Sequence, residues 1–495
     1  MPGSLAAPGG SAMRSLIFAT TACVAFASAA GAGATRQFSA GAAKTDITPE
    51  LGTMLVGSTN PRPALHVHDP LHARALVLND GQTRLAFVIC DLIGVPAEIV
   101  VEAKRIIAER TRIPASHVTI AGTHTHTAGS PYSPGLTTPD RSMPNTPPGP
   151  YQLFAARRIA DAVQTATNNL EPAKIGWGVG NEPSEVFNRR WYMKSESQLK
   201  NPFGGLDKVQ MNPPGSDAIR PAGPTDPEIV FISVQALDGR PIGLLANYSL
   251  HYVGGVPESH ISADYYGAFA VRIGALLGAR AGGPPFVGIM SNGTSGDVNN
   301  SDIKGKRLPR VPYEKMQLVA NRVAAEVYRA YQNVEHRAWV PLDARYVDAT
   351  IGSRKPTPEM VERARTVLAR PAGAKAWHPR EASYAKRVLE LERAPATVQA
   401  PLQAFRVGDL GIVTFPAEVF AEIGLEIKAT SPFAKTFALS LANSYFGYLP
   451  SVAQHQLGGY ETWIGTNRLE VEAAPKMTAV LLGFLKEMHQ VGRRE

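Results

Sequence analysis

Short apolar runs separated by polar turns organise this chain, and the strongest of them predict strands buried on both faces. Residues 71–78 and 85–93 are two such runs, the second carrying Cys90 and Asp91. Next, residues 96–110 place Ile99, Val100, Ala103, Ile106 and Ile107 at helical spacing, and Pro96 suits a first helical turn. The β-branched stretch 117–121 then predicts a further strand. Strand, helix and strand in that order predict a βαβ unit. Strands are also expected at 242–250, 285–290, 402–415 and 437–441, and residues 44–49 end a short one at Pro49. Residues 356–395 are charged and mostly helical, which predicts a small peripheral insertion. A last helix is expected over 474–488. The predicted fold is α/β: a mixed β-sheet core flanked by helices, in one large domain over residues 35–495.

Chemistry-bearing residues sit where these strands end. The strand at 117–121 runs into Gly122-Thr123-His124-Thr125-His126. Side chains alternate along an extended chain, so His124 and His126 are expected on one side. Such a pair suits a metal, or a metal ligand beside a catalytic hydrogen-bond donor, and equally two polar residues of a surface turn. The strand at 242–250 also ends in a histidine, His251, and 402–415 leads to Pro416-Ala417-Glu418. Two imidazoles and a carboxylate form a known catalytic zinc set, provided distant residues converge on one sheet edge. The loop 291–300 is rich in Gly, Ser, Thr and Asn. Residues 131–150 contain seven prolines, and 195–226 form a second long polar stretch. Both read as loops rimming a site.

Composition narrows the class. Hydrophobic residues make up 44% and charged residues 19%, with Gly 45 and Pro 40, as in a globular chain with many turns. Arg14 followed by an alanine-rich apolar stretch to Ala30 reads as an export signal over residues 1–34, with A-x-A sites at Ala27/Ala29 and Ala32/Ala34. The protein is therefore expected in the periplasm or outside the cell. Cys23 falls in that signal, leaving Cys90 alone, so a disulfide framework is excluded. The net charge of +8 is scattered. It is compatible with anionic membrane surfaces or acidic substrates, and nucleic-acid binding has no support.

An ordered set of segments resembles the catalytic N-terminal domain of the neutral (non-lysosomal) ceramidases. It comprises Asp46-Ile47-Thr48-Pro49, Thr123-His124-Thr125-His126, Asn188-Arg189, Asn247-Tyr248-Ser249-Leu250-His251 and Ser262-Ala263-Asp264. It continues with Gly296-Asp297-Val298, Pro416-Ala417-Glu418, Gly447-Tyr448 and Tyr460. The resemblance implies a zinc-dependent amidase that splits N-acyl sphingosine, a small-molecule lipid, into sphingosine and fatty acid. It implies Zn2+ on His124, His251, Glu418 and Tyr448, with His126, Arg189 and Tyr460 around the substrate carbonyl. Arg190 competes with Arg189 for its role, and His126 or Glu418 would protonate the leaving amine. Asp264 is either an acceptor that orients a ligand histidine or a helix N-cap.

Two departures from the family pattern bear on substrate. The family loop Gly-Asp-Val-Ser-Pro-Asn here reads Gly296-Asp297-Val298-Asn299-Asn300, with Asn299 in place of serine. Only thirty-five residues follow Tyr460, so the family's C-terminal immunoglobulin-like domain is expected to be absent. A zinc hydrolase of another amide or ester competes with the ceramidase reading, and a non-catalytic binding protein is the reading from a different class.

Overall fold

The computed structural model describes residues 36–57, 62–132, 148–279, 285–305 and 311–491. The expected signal at 1–34 and most of the proline-rich stretch 131–150 lie outside them. Within Gln37–Glu495 the chain begins with β1 (Ser39–Asp46), β2 (His72–Asn79), β3 (Arg84–Cys90), α1 (Ala97–Thr111) and β4 (Val118–Gly122). There follow α2 (Pro150–Asn168), β5 (Glu171–Asn181), β6 (Glu228–Ala236), β7 (Pro241–Tyr248), α3 (Asp264–Leu276) and β8 (Val287–Asn292). These eight strands form one sheet in the order β8-β7-β6-β5-β1-β2-β3-β4. Its two end pairs, β3/β4 and β7/β8, are parallel; the other pairs are antiparallel. Each parallel pair spans a helix, α1 or α3, so the predicted βαβ unit exists and has a counterpart at the opposite edge.

The second half adds α4 (Glu314–Tyr331), β9 (Leu342–Gly352), α5 (Pro358–Leu368), α6 (Glu381–Arg393), β10 (Thr397–Val407) and β11 (Leu410–Thr414). It ends with α7 (Ala421–Thr430), β12 (Lys435–Leu439) and α8 (Ala473–Val491). Strands β9-β10-β11-β12 make a second sheet. The stretch 402–415, expected as one strand, is a hairpin turned by Gly408 at φ +61, a conformation glycine adopts without strain. Residues 195–226 are likewise not purely loop, since Val209–Met211 and Ala218–Pro221 flank Arg190–Met193 in a small three-stranded sheet. The charged stretch 356–395 holds α5 and α6 between β9 and β10.

Alternation along β3 explains the layers. Ala86, Val88 and Cys90 pack with α1 and α2, whereas Leu85, Phe87 and Ile89 face the second sheet. Phe87 meets Phe405 across that interface at 4.9 Å between ring centroids. Helices α7 and α8 close the far side, giving helix, sheet, sheet and helix in sequence. Each large apolar side chain buried this way contributes about 1.5–3 kcal/mol. Among the described residues no helix is long and apolar enough to cross a membrane.

The first sheet curls until its two edges meet. Asn292 at the end of β8 donates from Nδ2 to the carbonyl of Thr123, just past β4, at 3.1 Å. The segment leaving β12 is wedged along both edges: Ser440 N donates to Asn292 O (3.0 Å), Gly122 N to Leu441 O (3.2 Å) and Asn443 N to Ile120 O (2.8 Å). Strand ends from opposite edges are thereby brought together. The end of β3 is fixed by a buried pair, Arg74 Nη1 with Asp91 Oδ2 at 2.6 Å, and Asp91 also accepts from His72 N at 2.8 Å.

Substituting Arg74→Met leaves that carboxylate buried without its counter-charge. It is expected to destabilise the fold by about 3–5 kcal/mol in urea unfolding. A loss below about 1 kcal/mol contradicts the anchoring role.

Candidate metal centre

The histidine run does not use strand alternation. Strand β4 ends at Gly122, where an added Cβ would lie 3.0 Å from Gly94 Cα and from the Leu92 carbonyl. His124 then turns the chain with φ +78, its N–H bonded to Leu92 O at 2.9 Å. Its Nδ1 meets Ile93 O at 2.6 Å, which aims Nε2 inward. His126 is held by Nδ1 on Gly57 O at 2.8 Å and by Tyr252 stacked on its ring at 3.7 Å. Gly57 has φ +111, and a Cβ there would strike the His126 ring. His251 lies three residues beyond β7, with Nδ1 on Ser295 O at 3.1 Å. The two histidines of the run do end up on one site, but through a left-handed residue and not an extended chain.

Glu418 is placed by the Gly296-Asp297 loop. Gly296 N donates to Val419 O at 2.7 Å, and a Cβ on Gly296 would lie 2.6 Å from the Glu418 carbonyl. Asp297 receives Ala421 N at 2.9 Å and Asn188 Nδ2 at 2.8 Å, and its carbonyl takes Arg189 N at 2.8 Å. Glu418 pairs directly with Tyr448 in a two-residue parallel bridge. One loop and one bridge therefore fix Glu418, Tyr448 and the backbone of Arg189 together.

These elements converge. His124 Nε2 is 3.0 Å from His251 Nε2, 3.1 Å from His126 Nε2 and 3.2 Å from Glu418 Oε2; His251 Nε2 is 3.7 Å from the same oxygen. A carbonyl oxygen only accepts, so each Nδ1 carries its ring's proton and each Nε2 presents a lone pair. Glu418 Oε2 is buried without a hydrogen-bond partner. Four electron-donating atoms thus face one another with one long contact to a donor at their edge, Arg189 Nη1 at 3.4 Å from His251 Nε2, an arrangement that fits a cation. Tetrahedral ligands at about 2.0–2.1 Å from a metal lie roughly 3.3 Å apart, which falls within the observed range of spacings. His124, His126 and His251 all lie within 4.8 Å of one another through their ligand atoms.

Electrostatics supports that reading. Burial pushes His126 and His251 well below the ordinary imidazole range, so both stay neutral and able to ligate. Burial works against the charge on Glu418, but the surroundings, the hydroxyls of Tyr445 and Tyr448 among them, outweigh it and hold the carboxyl at about 2. Arg189 lies beside the cluster, with Nη2 on the Tyr448 hydroxyl at 2.9 Å and Nη1 3.4 Å from His251 Nε2. Arg190 points elsewhere, to Gln454 and Gly458 O. The alternative between the two arginines resolves geometrically in favour of Arg189 as the one that reaches the cluster. The Tyr460 ring is edge-on to Tyr448 at 5.9 Å.

One expected residue does not reach the cluster. Asp264 opens α3 one position after its N-cap; its carboxylate receives Val253 N and Gly254 N at 3.0 and 2.8 Å, which holds the turn after His251, and also Tyr265 N of the helix at 2.6 Å. The acceptors that orient the ligand imidazoles are backbone carbonyls, which side-chain identity does not reveal. Asn299 bonds Asn212. Three contributors were not anticipated: Tyr445, whose hydroxyl donates to Glu418 Oε1; Tyr252, under His126; and Glu461, which receives Arg189 Nε at 2.8 Å and Arg190 Nη1 at 2.7 Å. Tyr445 and Glu461 adjoin the motifs that carry Tyr448 and Tyr460, and that adjacency was the available signal.

The chain is similar to known proteins in sequence and in fold. Residues 38–308 match the family model described as neutral/alkaline non-lysosomal ceramidase, N-terminal. A crystal structure of neutral ceramidase from Pseudomonas aeruginosa is similar at TM-score 0.67 and 18% identity, over 90% of this chain and 74% of that one. A structure described as ceramidase complexed with C2 is similar at TM-score 0.65 and 18% identity, with the same coverage. At that identity the likeness establishes a shared fold. No curated protein matches the chain.

Elemental analysis of the purified protein is expected to find about one divalent metal ion per chain. His124→Ala and His251→Ala should each lower that content at least tenfold; unchanged content in either variant contradicts the centre.

Proposed function

Because the chain belongs to the neutral/alkaline non-lysosomal ceramidase family, we propose that it is an exported zinc-dependent amidohydrolase that cleaves the N-acyl amide of ceramide to sphingosine and fatty acid. The observation that carries the reading is the buried Glu418 Oε2, without a hydrogen-bond partner and facing two imidazole lone pairs. His124, His251 and Glu418 would hold the ion, with the Tyr448 hydroxyl as fourth donor. His126 sits at the half-exposed edge while the other three are buried, which favours a role toward substrate. Nitrogen and carboxylate donors of this kind suit zinc. Bound there, zinc supplies a Lewis acid that polarises a carbonyl and lowers the pKa of water to about 7.

The chain's own groups then have separable roles. A C–O bond forms at the amide carbon before the C–N bond breaks, so negative charge develops on the carbonyl oxygen and returns to re-form the carbonyl as the nitrogen leaves, which requires that nitrogen to gain a proton. Tyr460 is a donor for that oxygen: burial raises its pKa, so the phenol keeps its hydrogen. Arg189 brings a fixed positive charge. Burial opposes that charge, but Tyr448, Glu461 and Glu418 outweigh it. Both oxygens of Glu418 are committed, Oε1 to Tyr445 and Oε2 to the imidazoles. That leaves His126 Nε2 to take a proton from water and deliver it to the leaving nitrogen.

Zinc-loaded protein is expected to release sphingosine from a medium-chain ceramide, and a chelator should abolish the release. In Tyr460→Phe, kcat should fall by a factor on the order of 10²–10³ at unchanged metal content. Absence of sphingosine from protein that holds zinc would contradict the substrate; full activity in Tyr460→Phe would contradict the donor.

A further inference from the structure

Helices α5 and α6 form one wall beside Tyr460, and the arginines on them divide into two groups. Arg363 and Arg370 share the buried Glu381, and Arg365 pairs with Glu392 at 3.0 Å. Arg393 is solvated at the end of α6. Arg380, just before α6, and Arg387, on it, have no carboxylate within ion-pair distance among the described residues. They lie instead against aromatic rings. The Arg380 guanidinium is 5.0 Å from the centroid of Tyr460, and that of Arg387 is 4.7 Å from Tyr384.

This wall is continuous with the metal centre. Trp463 is edge-on to both Tyr384 and Tyr460, at 5.2 and 5.8 Å, and Tyr460 in turn faces Tyr448. Two of the carboxylates nearby are already engaged. Asp207 accepts from Trp463 Nε1 at 2.7 Å and from Asn201 Nδ2 at 3.0 Å, and Glu461 holds Arg189 and Arg190. Two half-buried guanidinium groups thus lack an ion-pair partner among the described residues, that of Arg380 against the ring of the proposed carbonyl donor and that of Arg387 against Tyr384. A guanidinium in that state binds planar oxyanions through paired, charge-assisted hydrogen bonds, and low-dielectric aromatic walls strengthen the attraction.

We propose that Arg380 and Arg387 receive an acidic group, a carboxylate or a phosphate, carried by the N-acyl amine substrate. The inference rests on the amide-hydrolase reading and adds to neutral ceramide a second substrate class, anionic N-acyl amines. On this reading the helical insertion supplies selectivity from outside the metal centre.

Calorimetric titration of the zinc-loaded protein with three ligands tests this. The ligands are N-dodecanoylglycine, O-phospho-N-dodecanoylethanolamine and the neutral N-dodecanoylethanolamine. At least one anionic ligand is expected to bind about tenfold more tightly than the neutral one, and the tighter of the two identifies the acidic group. In the double variant Arg380→Gln/Arg387→Gln that ratio should fall to about threefold or less. The ratio is internal to one protein, so partial loss of fold does not imitate the result. Equal affinities in the wild type, or an unchanged ratio in the variant, overturn the proposal. Cleavage of the same compounds is a separate readout. Preference without cleavage of these compounds or of ceramide overturns the hydrolase reading alone, and cleavage without preference overturns this inference alone.

Discussion

Two imidazole nitrogens and one carboxylate oxygen crowd within 3.0–3.2 Å of His124 Nε2, with no proton shared among them. Left to themselves these lone pairs repel, and exposed side chains would turn away. They stay because each imidazole is held from behind, its Nδ1 proton given to a carbonyl of Ile93, Gly57 or Ser295. Glu418 is held in the same way, by Tyr445 on its other oxygen. A cation at the centre removes the conflict that the scaffold maintains. The site is thus preorganised by backbone acceptors that cannot change protonation state.

The architecture serves that constraint. His124 and His251 leave strands near opposite ends of an eight-stranded sheet, and they meet only because the sheet curls. The tail of β12 closes the gap, so the second sheet is a structural requirement of the centre as well as a packing layer. Glu418 and Tyr448 come from that second sheet's connections and are register partners in one short bridge. Gly296 completes the assembly by approaching the Glu418 backbone more closely than any side chain would permit. A defect in the packing of either sheet is transmitted to the same few atoms.

Local pattern revealed much of the scaffold, since hydrophobic periodicity is a local property. Strands β2 and β3, helix α1 and the crossover to β4 were legible from spacing alone. So was the association of histidines with strand ends. The hairpin at Gly408 was not, because apolar residues on both sides hide a two-residue turn. Alternation was the wrong reason for pairing His124 with His126: a residue at φ +78 leaves no periodic trace. The partners that tune the centre were hidden for a different reason. Glu461 is an ordinary acid beside Tyr460 until the fold places it between Arg189 and Arg190, which lie 272 and 271 residues away in the chain. Asp264 carried an orienting role in sequence that the fold assigns to backbone carbonyls.

Anomalous diffraction at the zinc absorption edge, from crystals of the protein purified without chelator, tests the central claim most directly. The account predicts one strong peak about 2.0–2.2 Å from His124 Nε2, His251 Nε2 and a Glu418 oxygen, with every Nδ1 still on its carbonyl. A peak ligated through Nδ1, or no peak among these residues while the four atoms keep their present spacing, would contradict it.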